Sequence, residues 1–317
     1  LRSFEEKADL QQEHYRRIEE IAKGENAERI QNLIPLMSQL IDQLGHEISA
    51  DPERRVSEVM IKRVTELSRS LKPHMVEKGS VKFDKAMSPE RAQLLHALIS
   101  LEMNRASFDK IMESAHFAQA DLIGADLSGI DLSGIDLHEA DLSGANLMGT
   151  DFSGASMFGC QLQRAHMDSA NFQEADLKRS NMDWADANGA VFIESNLDGA
   201  DLSSGKFRNA KFQRSSIQWS VAANAIFEGA NFSEANMKGT HAHRSNFVGA
   251  DLVRSNLSRT DFKEADLSEA NLDYAGVRVE GWMQKPLDWN VDGLDNVQEI
   301  YRLEKDTTPG VQFRLIP

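Results

Sequence analysis

Residues 120 to 149 read ADLIG ADLSG IDLSG IDLHE ADLSG ANLMG, and this five-residue pattern continues in one register from residue 115 to residue 274. The third position of each pentad holds Leu, Phe, Met or Ile in 29 of 32 pentads. The first position holds Ala, Ser, Thr, Gly or Cys in 30 of 32. The pattern therefore predicts a repeat structure with one layer of large and one layer of small apolar side chains.

The repeat favours short strands joined by corners. First and third positions of a pentad lie on the same side of an extended strand, because side chains alternate along it. Five is an odd number, so the chain must bend once in every pentad to keep these positions inside. Glycine occupies the fifth position in 12 of 32 pentads, where a corner can use its conformational freedom. A helix would scatter the apolar positions around its axis, so the sequence predicts a β-solenoid.

Charge spacing bears on the size of each coil. Of the 12 Lys and Arg residues in the repeat, six have an Asp or Glu 20 residues away, five have one 25 residues away and two have one 15 residues away. Cross-strand pairing between opposite charges stabilises neighbouring strands, so this count disfavours a three-sided coil. It leaves four or five pentads per coil as alternatives.

The pentads also carry a family resemblance. Residues 120–124 (ADLIG) and 230–234 (ANFSE) follow the run Ala-(Asp/Asn)-Leu-x-x, which resembles the pentapeptide-repeat proteins. The resemblance covers about half of the chain. It implies a right-handed quadrilateral β-helix with four pentads per coil, hence eight coils, and an α+β chain once the flanking helices are counted.

The first 87 residues are predicted to form a helical module. Ser3 opens one helix that Gly24 closes, an apolar stripe over residues 30–44 forms a second that ends at Gly45, and Asp51-Pro52 begins a third. Residues 79–87 are expected to be a connector. The apolar stripes either pack on one another or form a homodimer through a short coiled coil.

Two further segments are expected to cover the ends of the solenoid. Residues 88–114 form a linker with a helix that begins at Ser88 and runs to Leu101, placed to cap the first coil. The β-helix itself takes residues 115–275. Residues 276–317, with a short helix from Asp292 to Leu303, are predicted to be a C-terminal cap.

Composition limits the function classes. The 317 residues include 35 Lys and Arg, 50 Asp and Glu and one cysteine, with a net charge of -15. A chain this acidic is not expected to bind nucleic acid directly. Since no apolar run reaches the roughly 18 to 20 residues of a membrane span, we expect a soluble segment in a reducing, cytoplasmic compartment. The layout around Ser88 also resembles bacterial pentapeptide proteins with membrane helices upstream, which implies an anchor before Leu1 and a place at the cytoplasmic face of a membrane.

The motif search predicts no catalytic, cofactor or metal site. The sequence contains no P-loop, dinucleotide fingerprint, His-Glu-x-x-His motif or pair of cysteines. Cys160 falls at a first position, where a buried small residue is expected. His241 and His243 point outward from one strand, and we interpret them as a solvated pair because no third ligand is in sequence reach. The chain is therefore not expected to be an enzyme.

Departures from the repeat mark candidate partner-binding residues. Basic side chains and exposed tryptophans gather between residues 184 and 219, and tryptophan and arginine are frequent at protein interfaces. The candidates are Trp184, Lys206, Arg208, Lys211, Arg214 and Trp219. Three of the four basic residues have an acidic residue 20 positions away, so ordinary cross-strand pairing is the competing interpretation.

Two functions remain in contention at this stage. The first is a non-enzymatic protein-protein interaction scaffold, the soluble part of a membrane-anchored protein. The second is implied by the resemblance: some pentapeptide-repeat proteins mimic DNA and regulate type II topoisomerases such as gyrase. The repeat carries a net charge of -11 over about 38 Å. That is about one charge per 3.5 Å, half the density of duplex DNA, which has about one per 1.7 Å.

Overall fold

A computed structural model describes residues 27–78, 81–277, 302–305 and 313–317. The chain divides into two compact units, Leu1–Leu122 and Ile123–Pro317. Among the described residues, none of the helices combines the length and the apolar character that crossing a bilayer requires.

The described residues of the first unit form four helices and a β-hairpin. The helices are α1 (Ala27–Ala50), α2 (Glu58–Ser70), α3 (Pro89–Ser100) and α4 (Arg105–Ser114), and strands β1 (His74–Lys78) and β2 (Val81–Met87) pair antiparallel between α2 and α3. Side chains cap three of the helices. Ser57, Ser88 and Asn104 each accept a hydrogen bond from the backbone N–H three residues later, at 3.3, 3.3 and 2.9 Å.

Several predictions for this unit need correction. The helix expected from Ser3 to Gly24 lies outside the described residues. Helix α1 runs through Gly45 to Ala50, because Gly45 has no left-handed backbone that would end the helix, and a Cβ there would make an ordinary 3.5 Å contact with Leu101 Cδ2. Asp51 does not cap a helix. Its Oδ1 accepts from the N–H of Glu53 at 2.8 Å, which closes a turn and delays α2 to Glu58.

The region between residues 71 and 114 holds more regular structure than expected. The connector predicted for residues 79–87 contains strand β2. The helix predicted from Ser88 is confirmed as α3, but the segment expected to link it to the repeat contains helix α4 as well. Asn104 has an ordinary capping side chain, and the sequence reading missed this helix start.

The second unit is a β-helix whose coils repeat every 20 residues. Each second-position residue forms a parallel β-bridge with the residue 20 positions later, from Asp126–Asn146 to Asn256–Gly276. Four pentads therefore make one coil, and the alternative of five is excluded. The bridges form four ladders, which define four faces in chain order. Face 1 runs from Asp126 to Asp266, face 2 from Asp131 to Asn271, face 3 from Asp136 to Gly276 and face 4 from Asp141 to Asp261.

Every pentad turns its corner with left-handed backbone at the fifth position. From Gln119 to Tyr274, all fifth-position residues have φ between 54° and 72°, whether or not they are glycine. The backbone ladder holds them there: the N–H of Trp184, for example, donates to the carbonyl of Ser203 in the next coil at 3.0 Å. Second-position carboxylates and amides support the same corners, as where Asp201 Oδ1 accepts from the N–H of Ser203 at 3.0 Å.

The interior of the β-helix is filled by third-position side chains, none of which is more than 2% exposed. On face 2, phenylalanines stack coil upon coil, with ring centroids 4.7 to 5.3 Å apart from Phe152 to Phe232. Gly205 makes room for this core, since a Cβ at that position would lie 2.5 Å from Phe207 Cε2. The inward and outward positions assigned from the sequence are therefore confirmed.

The C-terminal residues form a small sheet. Strand β5 (Phe313–Ile316) lies between β3 (Gly276–Val277) and β4 (Arg302–Lys305) and is antiparallel to both. Leu315 is fully buried, and its N–H donates to the carbonyl of Ala275 at 2.9 Å. The helix predicted from Asp292 to Leu303 does not reach its expected end, because Arg302 and Leu303 belong to β4; residues 292–301 lie outside the described residues.

Candidate protein-interaction surface

The four basic candidates lie on two neighbouring faces of the β-helix. Lys206 and Arg208 occupy the second and fourth positions of one pentad on face 1. Lys211 occupies the second position of the next pentad, on face 2, and Arg214 forms the corner that follows it. The four side chains thus follow one coil across faces 1 and 2, from Lys206 on face 1 to Arg214 at the corner after face 2.

Three of these cations form ion pairs with carboxylates one coil away. Lys206 Nζ lies 2.8 Å from Asp186 Oδ1, Arg208 Nε lies 3.2 Å from Glu228 Oε2, and an Arg214 Nη lies 2.7 Å from Glu194 Oε1. The three basic side chains are 42 to 54% exposed. Exposed pairs of this kind contribute about 0 to 1 kcal/mol each, so a partner could replace them at little cost.

Lys211 differs from the other three. Within the described residues, no carboxylate lies within 4 Å of its ammonium group, although the side chain is exposed. Its ladder neighbours are Val191 and Asn231, neither of which is charged. The competing interpretation, ordinary cross-strand pairing, therefore accounts for Lys206, Arg208 and Arg214 but not for Lys211.

The two tryptophans lie at the opposite edges of face 4. Trp184 forms the corner from face 4 to face 1 and is 62% exposed, and Trp219 forms the corner from face 3 to face 4 and is 52% exposed. Trp184 lies two residues before Asp186, the partner of Lys206, so it borders the basic side chains on face 1. Trp219 lies across face 4 from them. The structure therefore groups Trp184 with the basic candidates and separates Trp219.

Gly239 holds Trp219 in place. A Cβ built on Gly239 would lie 2.3 Å from Trp219 Cε3, which shows that the indole ring packs directly against the glycine one coil further on. A large exposed ring that is held in this way loses little conformational entropy when it binds a partner.

Cys160 and the two histidines occupy the positions expected from the sequence. Cys160 is fully buried, and its Sγ lies 2.9 Å from the carbonyl of Leu137. His241 and His243 both lie on face 4, where His241 is exposed and His243 half-buried. In the part of the chain that the structure describes, no group of three or more His, Cys, Asp or Glu side chains is arranged to hold a metal ion.

A comparison with protein-family models identifies the repeat. Eight copies of the pentapeptide-repeat model match residues 115–154, 155–192, 178–214, 210–247 and 245–275, which together span just over half of the chain. The chain belongs to the pentapeptide-repeat family. Proteins of this family form right-handed quadrilateral β-helices, in agreement with the four ladders seen here.

Solved pentapeptide-repeat structures resemble the chain at low identity. HetL from the cyanobacterium Nostoc sp. strain PCC 7120, described as involved in heterocyst differentiation regulation, is 24% identical over 60% of this chain and 91% of HetL, with a TM-score of 0.28. Full-length QnrB1, a plasmid-mediated fluoroquinolone resistance protein, is 24% identical over 51% of this chain and 95% of QnrB1, with a TM-score of 0.29. A comparison with curated protein sequences returned no match.

In this pentapeptide-repeat protein, sequence reasoning did not identify face 4 as one surface that runs through successive coils. Between the two tryptophan corners lie an acidic stretch around Asp183 and Asp201, then the apolar Val221. Burial raises the pKa of Asp183, the Asp201 carboxylate raises it further, and Arg164 partly offsets both. The sequence shows this face when the second and fourth positions of pentads that lie 20 residues apart are compared together.

Proposed function

We propose that the chain is a non-enzymatic protein-protein interaction scaffold. Residues 1–87 form its helical module, residues 115–275 form a β-helix of eight coils, and strands β3, β4 and β5 close the C-terminal end. The observation that carries the proposal is the basic surface of one coil, which extends over faces 1 and 2. It presents Lys206, Arg208, Lys211 and Arg214 on a backbone that the ladder hydrogen bonds hold in fixed register.

The chemistry of this surface favours an acidic partner segment. Among the described residues no carboxylate lies near the exposed ammonium group of Lys211, and the three ion pairs beside it are exposed enough to exchange with carboxylates of a partner. Trp184 adds a large apolar surface next to these cations, and tryptophan beside arginine is frequent where interfaces gain most of their binding energy. A partner with an acidic stretch and an apolar side chain would match this combination.

The test is affinity capture from an extract of the cells that produce the protein, read by mass spectrometry. The wild-type chain is compared with a variant in which Lys206, Arg208, Lys211 and Arg214 are all replaced by Glu. The matched control reverses four basic residues associated with face 3, namely Lys178, Arg179, Lys238 and Arg259. A partner lost from the first variant and kept by the control supports the proposal, whereas a partner kept by both variants places the binding surface elsewhere.

We propose the following domain boundaries: helical module 1–87, linker and capping helix 88–114, β-helix 115–275 and C-terminal cap 276–317. The contacts of Ser88 within the first unit support a capping role. Its N–H donates to the carbonyl of Gln119 at 2.7 Å, and its carbonyl accepts from the N–H of Asp121 at 3.3 Å, so Ser88 supplies the strand that the first pentads lack. Location in the cytoplasm or at a membrane surface stays a prediction, which cell fractionation would test.

A DNA-mimic regulator of a type II topoisomerase is the second candidate, and the distribution of charge favours it locally. Residues 123–163 contain six Asp and Glu and no Lys or Arg, whereas residues 164–260 contain eleven of each sign. Two coils span about 9.6 Å, so the first stretch carries about one charge per 1.6 Å, close to duplex DNA.

Purified gyrase and relaxed plasmid provide the test of this second candidate. The wild-type chain should change the rate of supercoiling, and a variant with Asp126, Asp131, Asp136 and Asp141 replaced by Asn should not. Asparagine occupies the second position of nine other pentads, so this variant keeps the fold while it removes the charge. Equal effects of the two chains, or none from either, would exclude DNA mimicry by this stretch.

A further inference from the structure

Face 4 changes character along the β-helix. Its second positions read Asn181, Asp201, Val221, His241 and Asp261 in successive coils. Its fourth positions read Asp183, Ser203, Ala223, His243 and Lys263. Asp183 and Asp201 precede the coil of Val221, and His241, His243 and Lys263 follow it, together with Asp261. Lys263 Nζ lies 3.9 Å from Glu264 Oε1 in an exposed pair that contributes little and can exchange. Asp201 and His241 are equally far from the Val221 coil on opposite sides, and so are Asp183 and Lys263.

The central coil of face 4 is the most apolar part of this surface. Val221 is 37% exposed and Trp219 at the adjoining corner is 52% exposed, whereas Ala223, on the same strand as Val221, is buried. All other second positions of face 4 from Asp141 to Asp261 carry a polar side chain. An exposed apolar strip with polar groups on both sides is typical of a protein interface.

We propose that face 4 binds face 4 of a second copy of this chain, antiparallel, about a two-fold axis that passes through the coil of Val221. A two-fold interface uses the same surface on both copies, so each residue must complement the one it meets. Here Val221 meets Val221 of the other copy, Asp201 meets His241, and Asp183 meets Lys263. Ser203 meets His243 and Asn181 meets Asp261, both of which are hydrogen-bonding pairs.

The antiparallel arrangement fits these residues better than a parallel one. In a parallel pair, second positions of one copy would face fourth positions of the same coil in the other, and His241 would meet His243. Asp183 and Asp201 would then gain no cation. In the antiparallel pair both carboxylates gain a donor, since a histidine ring N–H donates whether or not the ring is charged. The raised pKa of Asp183 agrees with a carboxylate whose burial and proximity to Asp201 are only partly offset by Arg164 and the N–H of Trp184 in the single chain.

The contact area predicts weak association. Five coils span about 20 Å along the axis and one face is about 10 Å wide, so the contact belongs to the small, transient class of interfaces. Dimers should therefore appear only as the protein concentration approaches about 1 mM. This association does not rest on the proposed partner surface, whose four basic residues Lys206, Arg208, Lys211 and Arg214 lie on faces 1 and 2 and stay accessible in the dimer.

Sedimentation equilibrium of the 317-residue chain with charge-swap variants is the first test. Either single change, Asp201→Lys or His241→Asp, should weaken dimerisation by at least about tenfold, because like or mismatched groups meet across the axis. The double variant should restore it. Lysine is tolerated at second positions, as Lys206 and Lys211 show, and Asp251→Lys on face 2 is the matched control, because Asp251 supports its corner as Asp201 does.

Crosslinking at the axis is the second test. Val221→Cys, treated with a bismaleimide about 10 Å long, should give covalent dimers, because the two copies of this position face each other across packed sheets. Val191→Cys on face 2 should not, and the native Cys160 is fully buried. A chain that stays monomeric up to about 1 mM overturns the proposal. The proposal is also overturned by a dimer whose association does not change with the charge swaps and which is crosslinked no better at residue 221 than at residue 191.

Discussion

The phenylalanine column on face 2 allows a graded test of how much ring stacking contributes to this β-helix. Phe152, Phe172 and Phe212 occupy equivalent third positions and are all fully buried. Among the described residues they have one, two and four ring neighbours. Phe152 stacks on Phe172 at 5.3 Å, Phe172 also stacks on Phe192 at 5.0 Å, and Phe212 contacts Phe192, Phe232, Phe207 and Phe227 at 4.8, 4.7, 5.9 and 6.0 Å.

Each phenylalanine is replaced by leucine, which keeps the site apolar and removes the ring. The exchange itself costs about 1 kcal/mol of unfolding free energy, and each lost ring pair adds about 1 kcal/mol. We therefore expect losses of about 2, 3 and 5 kcal/mol for Phe152→Leu, Phe172→Leu and Phe212→Leu.

Guanidinium unfolding followed by far-ultraviolet circular dichroism measures these losses, provided that the denaturant dependence stays the same among the variants. If burial alone stabilised the column, the Phe→Leu replacement would lower the free energy of unfolding equally at all three fully buried positions. Three losses equal within about 0.5 kcal/mol would therefore refute the assignment of stability to ring contacts.

Three other changes test the inward, outward and corner positions. Leu147→Asp should abolish the circular dichroism of the folded β-helix because it buries a carboxylate, whereas Asp126→Ala should cost only about 1 kcal/mol; similar effects of the two would contradict the assignment of faces. Gly205→Ala should lower the melting temperature, at a cost of about 1 to 3 kcal/mol, since its Cβ would clash with the ring of Phe207. Ser169→Gly should raise the free energy of unfolding by up to about 1 kcal/mol, seen as a higher denaturation midpoint, because Ser169 has a φ of 59°. An unchanged midpoint would show that this corner is unstrained.

The sequence predicts the β-helix well because its signals are periodic. Large and small apolar residues at fixed positions indicate which side chains face inward, and the structure confirms them. Charge spacing alone left four and five pentads per coil open, since six basic residues have an acidic residue 20 positions away and five have one 25 positions away. Only the backbone bridges fix the step at 20 residues.

The five-residue repeat predicts one bend in every pentad, but glycine alone does not show that every bend has left-handed backbone. Twelve fifth positions hold glycine, but residues such as Arg214 and Glu174 adopt the same left-handed backbone. Tertiary hydrogen bonding overrides local preference there, and local preference is all that a sequence shows. The positions of Trp184 and Trp219 at the edges of face 4 follow from this corner geometry, so the sequence could not group them correctly.

The first unit was harder to predict because its signals are short. Asp51-Pro52 resembles a helix start, but the Asp51 carboxylate closes a turn instead, and the same side chain can do either. Helix α4 and the hairpin of β1 and β2 are too brief for periodicity to stand out from their surroundings.

The 20-residue step gives insertions in the repeat an unusual geometric meaning. An added stretch of five residues would turn every later side chain by a quarter turn around the axis, so that a patch on face 1 would move to face 2. An added stretch of 20 would leave its direction unchanged and move it about 4.8 Å along the axis. Gene duplication within such a repeat can therefore vary the angle and the spacing between two binding surfaces independently, while the core pattern stays the same.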